Sequence, residues 1–366
     1  MTKILAVSLP LFLLLAITQA KSFSPVLPTD NEELFRGKPE KFYMYTDRDF
    51  EGVKSRPWQG GSYGFTRNPQ RVEGKVLATK FHEGIDVSPL RRDASGEPLD
   101  EIRAIEGGRV VHVSNDEKDS NYGKLVVIEH KVGGAAIYSV YAHLAAIEVH
   151  RGQTIKQGSR VGRLGYTGDG LNQRRAHLHL EVALLWHDQF SSWHPANFPS
   201  PNKHGLYNGI NLIGLDIAGF YLEQRHNSSL TLPQFIRHQE SFFSVRIPES
   251  PHFQLPRRYP WLVKGNPAGV RSWLVSFTAP GFPVLIEPST EPASAPRVAW
   301  VAPAKFPYAK LTRGLIDGPR NRPRLGESGQ KLIDLLTWDP ASRPEPQPQR
   351  GLSGDAANRK LPTSDE

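Results

Sequence analysis

The heptapeptide "AHLHLEV", residues 176–182, decides how the chain is read. Side chains of a strand alternate between two faces, so His177, His179 and Glu181 share one face while Leu178, Leu180 and Val182 share the other. The apolar face would pack on a core and leave both imidazoles in a cleft. Similar short runs of β-branched and apolar residues, "RVVHVS", "KLVVIEH", "AIYSVYAHL" and "RVGRLGYTG", lie between residues 102 and 185, separated by glycine-containing turns. Gly107-Gly108 and Gly133-Gly134 are the candidate hairpin turns. The pattern predicts an all-β domain of antiparallel hairpins.

Almost a hundred residues earlier stands "FHEGIDVSP", residues 81–89. If it is extended, His82 and Asp86 also lie on one face, with Gly84 leaving a gap between them where a metal or a substrate backbone could come close. Should the two stretches meet, two imidazoles and one carboxylate make a catalytic zinc set, with bonds of about 2.0–2.2 Å and a fourth position for water. A further histidine, His143, ends the run "AIYSVYAHL". Alone it would be an ordinary surface residue; its partners give it interest.

Taken in order, "HEGID" (82–86), "YAHL" (141–144), "GQTIKQGSRVGRLGYTG" (152–168) and "HLHLE" (177–181) resemble the motifs of the lysostaphin/LytM-type zinc endopeptidases of bacterial cell walls, over about residues 60 to 185. The resemblance implies a mainly β fold, a compact antiparallel sheet domain with a substrate groove. It implies that His82, Asp86 and His179 bind Zn2+, and that His143 and His177 flank the scissile carbonyl, one as general base and the other as oxyanion stabiliser. It also implies the substrate, peptide bonds of peptidoglycan stems or cross-links. The alternative on the same fold is a catalytically inactive wall-binding or amidase-activating protein. Retention of all three ligand-type and both catalytic-type residues favours the hydrolase.

The rest of the chain, 366 residues in all, frames this centre. Residues 1–20 carry Lys3, an apolar run from Ile4 to Ile17, and small residues at Thr18 and Ala20, the pattern of a secretory signal peptide. The run is short of the roughly 20 apolar residues of a bilayer span. The expectation is an exported chain, periplasmic or wall-associated, without stable membrane insertion after cleavage. With no cysteine there are no disulfides, thiolate ligands or cysteine nucleophile. A formal charge of +8 draws the protein to anionic polymers. No nucleic-acid recognition motif is visible, and export argues against that partner.

The expected organisation is a signal peptide (1–20), an N-terminal extension (21–60), a zinc metallopeptidase domain (61–190), a mixed α/β C-terminal extension (191–338) and a disordered tail (339–366). Within the C-terminal extension, residues 190–215 read as loop, 232–243 as helix, 271–286 as strands, "EPSTEPASAPRVAWVAPAKFP" as connecting sequence and "GQKLIDLLTW" as a second helix.

Several residues have two readings. The loop "GDGLNQRRAHLHLE" is longer than the resemblance leads one to expect, with Ala176 where proline is usual. Its Arg174 and Arg175 are either carboxylate binders for a peptide stem or a solvated pair. Glu181 could orient a ligand or be an exposed strand carboxylate. Tyr141 lines the groove or is structural, and Arg67 in "GSYGFTRNP" could face the groove. The other nine histidines read as structural or surface, and Asp216 has no assigned role.

Overall fold

The computed structural model describes residues 23–342; the expected signal peptide, and the expected tail beyond residue 342, lie outside the described residues. The predicted mainly β, antiparallel architecture is borne out. The central sheet runs Thr154–Ile155, Gly108–Ser114, Leu125–Val132, Ala135–Ala142, Leu178–Leu185 and Leu212–Gly214, every pairing antiparallel. Ile85–Val87 shares the edge of Leu178–Leu185 with Leu212–Gly214, taking residues 178–180 while the latter takes 183–185. A three-stranded sheet of Leu144–Ile147, Arg160–Leu164 and Glu101–Arg103 packs beside it, and the hairpin Gly64–Val72 with Lys75–His82 stands apart.

Period-two alternation explains why Leu178–Leu185 can be buried along its whole length. Leu178, Leu180, Val182 and Leu184 enter the main core. On the opposite face His179 and Glu181 come first, then Ala183 and Leu185 join a smaller apolar cluster with Leu125, Val127 and Val140. Each fully buried leucine or valine contributes about 1.5–3 kcal/mol, so the strand is anchored on both sides of the histidine face. The main core also takes in Phe23, Phe42 and Tyr43 from the N-terminal segment and Phe235, Phe277 and Trp338 from the C-terminal one.

Sequence expectations fail where tertiary contacts override local pattern. Gly133-Gly134 forms the expected hairpin turn, but Gly107-Gly108 does not, because Glu101–Arg103 before it pairs with Arg160–Leu164 in another sheet. Gly108 is needed for a different reason: a Cβ there would stand 2.3 Å from the Glu129 carbonyl oxygen. The stretch 190–215 is not loop throughout; Phe190–Asn197 is a helix that buries Phe190 and Trp193, and Leu212–Gly214 completes the central sheet. The helix expected over 232–243 ends at His238, opened by a capping box of Thr231 and Gln234, and Phe243 starts a strand. The proline- and alanine-rich connection contains a proline-free strand, Arg297–Val301, at the edge of a four-stranded sheet with Phe243–Pro248, Ser272–Phe277 and Pro283–Ser289. The last expected helix is present as Glu327–Leu336. Among the described residues no helix is long and apolar enough to cross a membrane.

Candidate active site

Sheet register brings the predicted residues together. His179 lies directly opposite Asp86 on one side and Ala142 on the other, and paired Cβ atoms across such a ladder are about 4.5–5.5 Å apart. "HEGID" is not one continuous strand: His82 closes the 75–82 strand and Asp86 lies in the middle of Ile85–Val87, with the chain breaking direction between them. The gap expected at Gly84 is filled by the neighbouring strand. A Cβ at Gly84 would meet the Leu180 carbonyl oxygen at 2.5 Å and the His179 ring at 3.0 Å. Glycine therefore lets the two strands close on each other and leaves no room there for metal or substrate.

His82, Asp86 and His179 offer donor atoms that all lie within 4.8 Å of one another. His82 Nε2 stands 3.1 Å from Asp86 Oδ1 and 3.1 Å from His179 Nδ1, and His179 Nδ1 is 2.9 Å from Asp86 Oδ1. Tetrahedral donors at zinc bond lengths would be separated by roughly 3.4 Å, so a small outward shift fits an ion among them.

The far nitrogens fix the tautomers. His82 Nδ1 donates to the Ser62 carbonyl (2.9 Å), which leaves Nε2 as the inward lone pair of the neutral ring. His179 Nε2 donates to Glu181 Oε1 (2.8 Å), leaving Nδ1. His143 Nδ1 donates to the Thr167 carbonyl (2.9 Å) and His177 Nδ1 to the Arg175 carbonyl (2.6 Å). The ring of His143 is 4.8 Å from that of His177 and 5.8 Å from that of His179, centre to centre. His143 reaches this position with φ of 63°, the left-handed region that a residue other than glycine rarely adopts. The backbone turns there from one sheet to the next, its N–H bonded to the Tyr122 carbonyl.

Electrostatics suits a cation. Burial drives the His82 pKa down to about 4, which keeps the ring neutral. Asp86 is held well below the ordinary carboxylate range: burial opposes its charge, but His82, His177 and Arg67 outweigh it. At His179, too, burial works against the charged form, yet the hydrogen bonds to Asp86 and Glu181 carry the pKa up to about 9, so Nδ1 favours a positive charge beside these carboxylates, a proton or a cation in its place. Burial, with His177 and His179 nearby, depresses His143 strongly and keeps it neutral at pH 7.

The surroundings resolve the residues with two readings. Glu181 is buried, not exposed, and its Oε1 takes both His179 Nε2 and the Tyr122 hydroxyl (2.8 Å). Arg67 pairs with the second oxygen of Asp86 and donates from Nε to the Gly60 carbonyl (2.7 Å). Tyr141 does not line the groove: it is fully buried on the other face, its hydroxyl bonded to the Ile105 N–H and Ser139. Asp216 caps the helix Ile217–His226 through the Gly219 N–H, a role that an acidic residue before an apolar run would have revealed. Tyr122 had no legible signal, since only the folded register brings it against Glu181.

Residues 80–190 match the model of peptidase family M23, and the resemblance to lysostaphin/LytM-type peptidases is borne out over that stretch. The chain is 30% identical over 101 residues to the outer membrane antigenic lipoprotein B of Histophilus somni, covering 28% of this chain and 26% of that protein. It is 31% identical over 101 residues to the cell division protein DipM of Caulobacter vibrioides, covering 26% and 16%. Both matches thus span about a quarter or less of the relatives' lengths. Among solved structures, the catalytic domain of the prophage-encoded M23 protein EnpA from Enterococcus faecalis is 26% identical, with a TM-score of 0.24 over 33% of this chain and 75% of that one.

Proposed function

We propose that this chain is an exported zinc-dependent endopeptidase that hydrolyses peptide bonds in peptidoglycan stems or cross-links. The observation that carries the reading is the convergence of His82, Asp86 and His179 on one point, with His143 and His177 beside it and every ring turned by a hydrogen bond at its far nitrogen. A zinc ion held by His82 Nε2, Asp86 Oδ1 and His179 Nδ1 would supply a Lewis acid that polarises an amide carbonyl and acidifies water toward neutral pH.

The remaining work falls to the protein. Glu181 keeps the His179 proton on Nε2, and Tyr122 keeps Glu181 in place. Arg67 holds the outer oxygen of Asp86, so that Oδ1 faces inward. His143 and His177 have Nδ1 tied to carbonyls, which reserves Nε2 of each for the reaction. The Nε2 lone pair of one takes the proton of the attacking water, which then passes to the leaving amine, while the other, with its Nδ1–H spent on a carbonyl, donates to the developing oxyanion from Nε2 in its doubly protonated form. The basic charge of +8 supports an anionic polymer as the substrate's setting.

Purified cell-wall material incubated with the protein should release new amino groups, and a chelator should stop the release until zinc is restored. Release that continues after complete metal removal would overturn the proposal. Wall binding without any release would fit the inactive wall-binding or amidase-activating alternative.

A further inference from the structure

The loop that precedes the paired histidines is tied down almost completely. Arg92 donates to the carbonyls of Gln173 (2.7 Å) and Arg174 (3.3 Å), and Gln173 Nε2 donates to Glu97 (2.6 Å). Asn172 accepts from the Arg175 N–H, and Arg174 pairs with Asp47 at 2.8 Å. The carbonyl of Arg175 holds His177. The Arg175 guanidinium stands out against this background, because it makes no hydrogen bond or ion pair among the described residues and its Nε is buried without an acceptor.

Acceptors near it are already taken. Arg175 is half-buried and close enough to Asp86, Arg67 and Asp47 to feel their charges. Asp86 gives Oδ2 to Arg67 and Oδ1 to the three histidines. Asp47 gives one oxygen to Arg56 and the other to Arg174. A guanidinium carries five N–H donors in a planar fork that matches a carboxylate, and a buried donor left unpaired is destabilising.

We propose that Arg175 is a specificity residue that receives a carboxylate of the peptide substrate next to the scissile bond, its position fixed because its own carbonyl orients His177. The inference rests on the peptidase reading and deepens it: the preferred substrate carries a free carboxylate, either the peptide's C-terminus or an acidic side chain, close to the cleaved bond. Arg174, its neighbour in sequence, is exposed and already pairs with Asp47.

The test uses the full chain loaded with zinc and synthetic stem peptides in matched sets: all carboxylates free, the C-terminal carboxylate amidated, or the side-chain carboxylate amidated. Arg175→Gln should raise KM for the free-acid peptide by roughly tenfold or more while kcat stays within about twofold. Arg175→Lys should recover part of that loss, because it restores charge without the fork. Whichever amidation raises the wild-type KM, and makes the substitution harmless, identifies the source of the carboxylate. Titration calorimetry of the same peptides reads binding independently of turnover. If the wild-type enzyme neither cleaves nor binds any peptide, both readings fall. Cleavage with unchanged KM and affinity in Arg175→Gln overturns this inference alone.

Discussion

The inner and outer sides of the His82–Asp86–His179 cluster are built in different ways. The inner side, His179 with Glu181 and Tyr122, rests on a central strand whose eight residues are all buried and whose register is set by partners along both edges. The outer side, Arg67, Arg174 and Arg175, comes from a half-exposed hairpin and a loop, positioned by side-chain hydrogen bonds. The difference teaches a division of labour: a ladder holds donor atoms to within a fraction of an ångström, whereas loops can vary what is presented to a substrate without disturbing them.

That contrast can be broken or sharpened by substitution. The largest effect is expected at His179→Ala, which should abolish stoichiometric metal, read by elemental analysis, together with wall hydrolysis. Glu181→Gln should weaken metal affinity by about 10–100-fold in a competition titration with a chelator, with Tyr122→Phe near the low end of that range because it removes one hydroxyl. Gly84→Ala, which drives a methyl against the Leu180 carbonyl, should destabilise the fold by about 1–3 kcal/mol in urea denaturation. At the other extreme, Arg174→Ala removes an exposed ion pair and should change stability by less than about 1 kcal/mol. A Gly84 variant as stable as wild type, or an Arg174 variant as damaged as Gly84→Ala, would erase the distinction between the two sides.

Legibility in the sequence followed the same line. Alternation in "AHLHLEV" sufficed to put His177, His179 and Glu181 on one face, and the structure brings all three to Asp86 or its partners. The alternation could not say what stands opposite, so Tyr122, and the burial of Glu181, emerged only with the fold. Tyr141 was ambiguous because His143, two positions on, leaves regular strand geometry at a positive φ; a face inferred by counting twos is lost there. Gly84 is a place of close approach, as its place between His82 and Asp86 predicts, but periodicity does not tell a substrate backbone from the adjoining strand. Beyond residue 190 the prolines hid a helix held by the buried Phe190 and Trp193 and an edge strand held by its ladder with Phe243–Pro248, distant partners that local composition does not record.

The shared edge of the central strand has a practical corollary. Residues 183–185 are paired by Leu212–Gly214, and Gly214 abuts the Glu83 carbonyl so tightly that a Cβ would sit 2.0 Å away. The stretch recognised by family, residues 80–190, therefore stops short of the segment that seals its own principal strand. Excised at those limits, the segment would carry bare amide and carbonyl groups beside its histidine cluster, an adhesive seam inviting self-association.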